Sequence, residues 1–458
     1  MHLTDFAASK PGRLVQPSLD YWAFVPAPLA PRLTLSVDLI NRLGRADRAL
    51  GRLAGVTDTI RGVKHLLGPL LRREAAYSIR LDGLDCSLAG FALTDETSPG
   101  ELGTAERALL NRTQAHCAAL ALGRAPDADR RFLIGLHRRL FADLPGIVDA
   151  GQFRDRQSWF GPKGCSRSDA VFVPPPVDEM HQALASLERY SQHPSELPHL
   201  LRLALMHYQF EVIHPFLTGT GAVNRLLLSL ALSAEPGFPQ LPIAISAYLW
   251  AHRDEYRSRL QLVSRTGEWE PWLRFFLTAV EEQADDCGVR VAALLALHEE
   301  YVTRLRRARE RQPLYHIVDT LFERPAITVT GAAGRFGITP AAMLECLTTL
   351  VDLDILACPA SEGSTVFVAT DLLEVLEGAR PAAVPTAALL RAARPLLLER
   401  RAIERPRAPG LGNGRGMGSG ADDAPHLLDE ATRQIVLELL REIEEAAQRA
   451  RMRLSLVA

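Results

Sequence analysis

The chain has 458 residues, which is enough for two or more domains with a sizeable core. Alanine, leucine and arginine are abundant and aromatic residues make up only 6% of the sequence, which favours a largely helical protein. The formal net charge of −2 argues against broad electrostatic binding to nucleic acid or to an anionic membrane. The longest apolar run, near residues 226–234, is too short to span a bilayer, and residues 1–13 lack the apolar stretch of a signal peptide.

The cysteines are widely separated along the chain, and no Cys-x-x-Cys pair occurs. This spacing argues against a cysteine-based metal site and against a disulfide framework. We therefore expect a cytoplasmic protein with no metal site of its own.

Residues 1–99 are predicted to form an N-terminal helical module. Prolines make residues 22–31 extended, and the spacing of apolar residues after residue 36 predicts a helix. A second helix is predicted over Val63–Leu81, and it is followed by Asp82 and Gly83. Taken alone, an Asp-Gly pair in this position is typical of a turn that ends a helix.

Residues 100–292 are predicted to form a second module. Amphipathic helices are expected over residues 105–120 and 129–140. Residues 147–161 and 171–176 are expected to be short extended segments around a loop, with Trp159, Phe160 and Gly161 at the end of the first. Two interpretations stay open: a plain surface hairpin whose aromatic residues cover the core, or an edge that pairs with an extended peptide.

The segment from His214 to Arg225 reads His-Pro-Phe-Leu-Thr-Gly-Thr-Gly-Ala-Val-Asn-Arg and lies between two predicted helices, over residues 197–212 and 223–232. A glycine turn that leads into a helix N-terminus favours anion binding, because free N–H groups and the helix dipole both attract negative charge. Histidine is the commonest general base, so His214 is the candidate catalytic residue. His207, seven residues earlier, is predicted to be a packed, hydrogen-bonded histidine. The candidate anion-binding residues are Thr218, Gly219, Thr220, Gly221, Asn224 and Arg225.

Residues 293–378 are predicted to form a third module with the order of a winged helix. A helix over residues 314–323, a short helix ending at residue 336, a turn at residues 337–340 and a helix over residues 341–351 are expected in this order. Two short strands that form a hairpin are expected over residues 355–368. The candidate recognition helix, residues 339–350, contains no lysine or arginine, although a helix that enters a DNA groove normally needs cations. The sequence therefore argues against DNA binding and favours docking to a partner or dimerisation.

Residues 379–458 are predicted to form a tail. A helix is expected over residues 389–401, a flexible glycine-rich linker over 408–420, and a terminal amphipathic helix with an apolar stripe over 435–447. The stripe is expected to dock on the body of the protein or on a second subunit.

The order and spacing of residues 214–225 resemble the signature of the Fic family, His-x-Phe-x-(Asp/Glu)-Gly-Asn-Gly-Arg-x-x-Arg. The resemblance implies a mostly α fold: a Fic helical core with a short β-hairpin flap, often joined to an α+β winged-helix domain. It also implies that His214 is a general base that activates a target hydroxyl, and that Arg225 holds the outer phosphates of ATP. Most members of the family transfer AMP to a protein side chain.

Three positions depart from that signature. Thr218 stands where the family has the carboxylate that holds Mg²⁺, Thr220 replaces the asparagine, and Ala222 replaces the first arginine. An arginine that contacts phosphate contributes about 1.5–3 kcal/mol. ATP is therefore a candidate substrate whose dependence on Mg²⁺ is doubtful.

Two further segments resemble parts of the family. Ser78, Asp82 and Gly83 occupy the positions of its inhibitory motif, (Ser/Thr)-x-x-x-Glu-(Gly/Asn), with aspartate in place of glutamate. The resemblance implies that Asp82 pairs with Arg225, as the family's acidic residue does when it obstructs the γ-phosphate site. Residues 159–161 match the flap, which clamps the target segment beside the histidine, and Arg154 fits the segment before it.

Three functional interpretations follow from these residues. In the first, His214 acts as general base or acid in an altered chemistry without Mg²⁺–triphosphate. In the second, the chain transfers AMP weakly or from an unusual donor. In the third, it is a silent scaffold that acts through its winged helix and tail. The replaced residues all handle triphosphate and metal while His214 is kept, which favours altered chemistry over AMP transfer and both over a scaffold. The expected partners are a small-molecule or protein hydroxyl and a second copy bound through the winged helix or tail, with no membrane contact.

Overall fold

The computed structural model describes residue 6 and residues 11–29, 31–59, 63–85, 102–120, 129–162, 164–234, 241–310, 312–358 and 366–378. The strands in these residues are β1 (Gly12–Ser18), β2 (Tyr21–Pro26), β3 (Ala326–Thr328) and β4 (Val366–Val368). The helices are α1 (Val37–Thr59), α2 (Val63–Leu81), α3 (Thr104–Leu120), α4 (Arg130–Leu140), α5 (Val177–Gln192), α6 (His199–Ile213), α7 (Thr220–Ala234), α8 (Ile245–Ala251), α9 (Arg253–Thr266), α10 (Glu270–Arg307), α11 (Gln312–Glu323), α12 (Val329–Phe336), α13 (Pro340–Asp352) and α14 (Thr370–Glu377). The predicted mostly α fold class is confirmed.

Helix α6 lies at the centre of the described fold. Most of its residues are apolar and buried, because neighbouring helices pack on it. Trp272 of α10 is fully buried against it and donates a hydrogen bond from Nε1 to the Ala204 carbonyl (2.9 Å). Phe276 of the same helix is buried as well.

The N-terminal elements pack on this core. Helix α1 runs along α10, and polar pairs such as Arg42 Nη1 with Thr278 Oγ1 (2.8 Å) line the edge of their contact. Strands β1 and β2 form an antiparallel hairpin in which Gly12 pairs with Pro26. The Phe24 N–H donates to the Val173 carbonyl (2.9 Å), which joins this hairpin to the segment leading into α5.

The C-terminal part of the described chain contains α11, α12 and α13 and the strands β3 and β4, and its assignment as a winged helix stays a prediction. Strand β3 pairs antiparallel with β4, and Ala357 forms an isolated bridge with Val368. The Thr339 hydroxyl caps α13 by accepting from Ala342 N (3.2 Å), with Pro340 as the first helical residue. The rest of the predicted hairpin, residues 359–365, lies outside the described residues. Helix α10 continues through the predicted domain boundary at residue 292, so both modules share it.

A buried charge cluster connects α2, α10 and α14. The Arg73 and Arg290 guanidinium groups both bond Asp286, at 3.1 and 2.8 Å. Arg73 Nε also donates to the Leu376 carbonyl (3.1 Å), and Arg290 donates to the carbonyls of Leu376 and Gly378 (both 3.3 Å). The last carbonyls of a helix lack partners within it and carry negative charge, so two arginines fix the end of α14.

The predicted tail elements over residues 389–401, 408–420 and 435–447 lie outside the described residues. Among the helices that the structure describes, none has the length and apolar character needed to cross a membrane. The described residues also contain no group of three or more His, Cys, Asp or Glu side chains that could hold a metal ion.

Candidate active site

His214 is the residue at which α6 ends. Its backbone has φ 48° and ψ 66°, the left-handed conformation, and its N–H donates to the Phe210 carbonyl (3.1 Å). The helix stops here because Pro215 follows, and proline disfavours the right-handed α conformation in the residue before it. Histidine is one of the few side chains enriched in the left-handed region. The local sequence therefore ends α6 at His214 and turns the chain sharply there.

Arg154 holds this turn from the other side. Its Nε donates to the His214 carbonyl (2.8 Å) and its backbone N–H donates to the Pro215 carbonyl (2.9 Å). Its terminal nitrogens donate to the carbonyls of Arg156 (3.3 Å) and Pro175. The residue is 1% exposed. One buried guanidinium thus connects the His214 turn to both ends of the predicted flap.

The surroundings of His214 set its charge. Burial and the nearby Arg154 cation lower the pKa of His214 to about 3, although a contact with the Glu211 backbone carbonyl works in the opposite direction. The imidazole is therefore neutral at physiological pH and can accept a proton.

The loop after His214 is supported by a second histidine. The ring of His137, on α4, stacks on Phe216 with 4.0 Å between ring centroids. Its Nδ1 accepts from the Gly151 N–H and its Nε2 donates to the Thr218 carbonyl, both at 2.8 Å. Burial lowers the pKa of His137 and keeps it neutral, which this pattern of one donor and one acceptor requires.

The predicted glycine turn contains one position that only glycine fits. Gly219 has φ 84°, and a Cβ atom there would overlap the Phe141 ring. The Thr220 hydroxyl accepts from the Phe216 N–H (3.1 Å) and donates to the Phe216 carbonyl (3.2 Å), so it closes the loop internally. Thr218 is exposed and Gly221 half-buried at the entrance to α7. The groups that remain for an anion are the backbone N–H groups in the first turn of α7.

Two of the motif's later positions face inward. Asn224 is buried, and its amide donates to the His207 carbonyl (2.9 Å) and to Glu211 Oε1 (3.0 Å). It therefore joins α7 to α6 and does not face the glycine turn. Ala222, where the family has its first arginine, is buried in an apolar cluster with Ala115 and Phe141.

Arg225 lies in the predicted contact with α2. Its Nη2 bonds Asp82 Oδ1 (2.7 Å) and the Ser78 carbonyl (3.0 Å), and its Nε donates to Ser78 Oγ (3.0 Å). Gly83 has φ 84°, which turns the chain at the end of α2. Arg112 of α3 bonds the second oxygen of Asp82. Two guanidinium groups therefore flank one carboxylate, and only Arg225 was expected there from the sequence.

Further buried acids surround this pair of arginines. Burial raises the pKa of Glu74 to about 7, while its oxygens accept from Ser246 N (2.9 Å) and Ser246 Oγ (2.5 Å). Burial likewise raises the pKa of Glu211.

His207 is buried, as predicted, and its Nε2 bonds the Tyr256 hydroxyl (2.8 Å).

The flap residues lie over His214. The Phe160 ring meets the His214 ring edge-on, with 4.5 Å between centroids, and Phe160 pairs with Phe172 through backbone hydrogen bonds. Trp159 donates from Nε1 to the Cys165 carbonyl (3.0 Å), and Gly161 leaves space for the Cys165 sulfur. Trp159 and Phe160 are both about two-fifths exposed. The flap therefore presents aromatic surface to solvent beside the candidate base.

Comparisons with known proteins match two regions of the chain to one family. Residues 127–232 match the Fic/DOC family and residues 40–116 match the Fic/DOC family N-terminal region. The chain is 30% identical to "Protein adenylyltransferase Fic" of Drosophila yakuba over 161 residues, 35% of this chain and 29% of that protein. The identity to the protein of the same name in Culex quinquefasciatus is 26% over 252 residues, 54% and 47% of the two chains. The chain thus spans less than half the length of these curated relatives.

Solved structures of Fic proteins are also similar. A Fic family protein from Desulfovibrio desulfuricans G20 aligns with a TM-score of 0.48 and 14% identity, over 74% of this chain and 98% of that one. Fic-1 from C. elegans aligns with a TM-score of 0.41 and 18% identity, over 54% and 72%. Together with the His214 turn, the two matched regions and the curated relatives support a Fic family protein.

Proposed function

We propose that this chain is a Fic-type transferase that uses His214 as a general base and whose chemistry departs from Mg²⁺-dependent AMP transfer. The observation that carries the proposal is the His214 turn: a neutral imidazole, on a residue whose backbone carbonyl Arg154 holds, in the segment that leads into the N-terminus of α7. It combines a proton acceptor with a place for an anion.

The chemistry of such a site is group transfer to a hydroxyl. The acceptor O–H gives its proton to the free ring nitrogen of His214 while its oxygen forms a bond to phosphorus, and the bond from phosphorus to the leaving group breaks. One ring N–H faces the Glu211 carbonyl, which leaves the other nitrogen for the proton. An incoming phosphate would replace the solvent around the ring with negative charge and raise the pKa of His214, which strengthens the base when donor is bound.

The residues at the metal position do not fit Mg²⁺. The Thr218 side-chain oxygen is neutral, and the Thr218 carbonyl accepts from His137. Mg²⁺ in proteins is held by one or two carboxylates together with substrate phosphates. We therefore expect a phosphate ester or anhydride donor whose charge is met by the α7 N-terminus and by arginine.

AMP transfer from ATP is the second candidate function. The contact of Arg225 with Ser78 and Asp82 favours it, because the resemblance implies that this contact obstructs the γ-phosphate site of an ATP-dependent enzyme. The curated relatives carry the name of this activity. In the third interpretation the site is silent and the protein acts through dimerisation by its winged helix or tail.

Product mass separates these functions. The purified chain is incubated with a panel of nucleotide and phosphate-ester donors, with and without Mg²⁺, and the intact mass of the protein is measured. His214→Asn keeps a side chain that tolerates the left-handed backbone, and His193→Asn changes an exposed histidine as the control. The proposal expects a mass increase that needs His214, occurs without Mg²⁺ and is not AMP from ATP. An AMP adduct would favour the second function, and the absence of any mass increase in both the parent and His214→Asn would favour the scaffold.

A further inference from the structure

Arg112 is the feature that the proposed function leaves unexplained. It lies on α3 and is 6% exposed, and its Nη2 bonds Asp82. Its Nε and Nη1 atoms are buried and have no hydrogen-bond partner among the residues that the structure describes. A buried guanidinium normally uses its whole fork of donors, since each N–H without a partner is unfavourable. Arg112 therefore has donors available next to the motif arginine.

The position of Arg112 matches a cation that the motif has lost. Arg112 and Ala115 are three residues apart on α3 and lie on the same face of the helix. Ala115 packs in the same apolar cluster as Ala222, which stands where the family has its first arginine. Arg225 follows Ala222 by three residues on α7. The charge missing from α7 is thus present on the adjoining helix.

The Asp82 carboxylate shows what fits between these two arginines. Its two oxygens each bond a different guanidinium, as two oxygens of a phosphoryl group could. The Asp82 side chain is 26% exposed, whereas those of Arg112 and Arg225 are 7% and 6% exposed. The carboxylate is the member of the trio that solvent reaches. Without it, two cations would remain beside Glu74 and Glu211, the acids whose pKa values burial raises.

We propose that Arg112 and Arg225 together bind a phosphoryl group, and that Arg112 supplies the cation absent at Ala222. The inference deepens the proposed function, because the phosphoryl group would belong to its donor. Asp82 occupies the site in the free protein, and the incoming anion takes its place between the two arginines.

Calorimetry with inorganic pyrophosphate tests the site in the full-length chain without any transfer step. Asp82→Asn removes the competing charge and should bind pyrophosphate more tightly than the parent. Adding Arg112→Gln or Arg225→Gln to Asp82→Asn should each weaken that binding about ten- to a hundredfold. Arg107→Gln, on the same helix, removes equal charge and should change the affinity less than threefold. The proposal would be overturned if Arg107→Gln weakened pyrophosphate binding as much as Arg112→Gln does. It would also be overturned if Arg225→Gln weakened that binding and Arg112→Gln did not.

Two further measurements keep the result interpretable. If Arg112→Gln does not fold, Arg112→Lys keeps the charge without the planar fork and should still weaken pyrophosphate binding several-fold. Binding unchanged by Arg112→Lys would also reject the proposal. Pyrophosphate binding through both arginines with no His214-dependent product would reject the proposed function and leave this site standing. His214-dependent transfer together with pyrophosphate binding that Arg112→Gln leaves unchanged would support the proposed function and reject this site.

Discussion

The Nε atom of Arg154 lies 2.8 Å from the carbonyl oxygen of His214, so the candidate base is fixed through its own backbone. Arg154→Met should lower the free energy of unfolding by about 2–4 kcal/mol, because carbonyls at His214 and Pro175 lose a charged donor. It should also raise the pKa of His214, since the cation that lowers it is gone. Urea unfolding and an NMR titration of the His214 ring measure the two effects.

The control for this experiment is Arg156→Met, which changes an exposed side chain two residues away. Its stability should stay within about 0.5 kcal/mol of the parent. A His214 pKa that did not move in Arg154→Met would show that burial alone accounts for the neutral ring.

Gly219 and Gly83 form a matched pair, because both have φ 84° but only Gly219 has a ring in the space of a Cβ atom. Gly219→Ala should lower the free energy of unfolding by about 2–5 kcal/mol, from backbone strain and overlap with Phe141 together. Gly83→Ala should cost about 1 kcal/mol, from backbone strain alone. Thermal or urea unfolding of the two variants side by side is the measurement. Equal losses would mean that the Phe141 ring moves aside freely.

His207 predicts a pH-dependent stability. Burial lowers the pKa of His207 to about 3. As the pH falls below about 6.5, this histidine therefore binds a proton in the unfolded chain but not in the folded protein. The stability that the neutral ring contributes is present above pH 6.5 and is lost as the pH falls towards 3. His207→Gln should flatten this dependence by up to about 1.4 kcal/mol per pH unit. Urea unfolding at pH 4, 5 and 6 tests it, with the exposed His193→Gln as control; identical slopes for parent and His207→Gln would contradict the prediction.

Nucleotide binding should gain little from Mg²⁺. Thr218 offers a neutral hydroxyl, and Ala222 is buried in the core. Calorimetry with ATP should therefore give affinities within about threefold with and without the ion. Thr218→Asp restores a carboxylate at the exposed position and should make binding depend on Mg²⁺. A large gain with Mg²⁺ in the parent chain would mean that another group supplies the ligand.

Asp82 neutralises two buried arginines, so its removal should be costly. Asp82→Ala strands the guanidinium groups of Arg112 and Arg225 and should lower the free energy of unfolding by about 3–5 kcal/mol. Asp85→Ala removes an exposed acid three residues later and should cost under about 1 kcal/mol. Urea unfolding measures both. If Asp82→Ala were as stable as the parent and modified itself with AMP from labelled ATP, its role would be inhibitory rather than structural.

Much of the fold could be predicted because it depends on local signals. The bounds of α2 follow from apolar spacing and from the Asp82-Gly83 turn, and the Thr339-Pro340 pair begins α13 where capping chemistry predicts it. His214, Gly219 and Arg225 were found because their spacing within one short segment carries the family's pattern.

The remaining site residues could not be identified because their roles depend on contacts between distant parts of the chain. Arg112 and His137 occupy ordinary positions on amphipathic helices, and only the packing of α3 and α4 on α7 gives them a function. In the sequence, Glu74 is one of several charged residues on α2, and only the folded structure places Ser246 next to it as a hydrogen-bond donor. Thr220 and Asn224 show the converse: they lie within the motif, but their side chains bond other parts of the protein.

The junction of Arg73, Asp286 and Arg290 with the end of α14 has a consequence for protein engineering. A chain truncated before residue 370 would leave two interior guanidinium groups facing a gap where the carbonyls of Leu376 and Gly378 had been. Arg73 is five residues before Ser78 on α2, so the same truncation would loosen the helix that carries the Arg225 contact. A fragment excised to study the candidate site should therefore extend through α14.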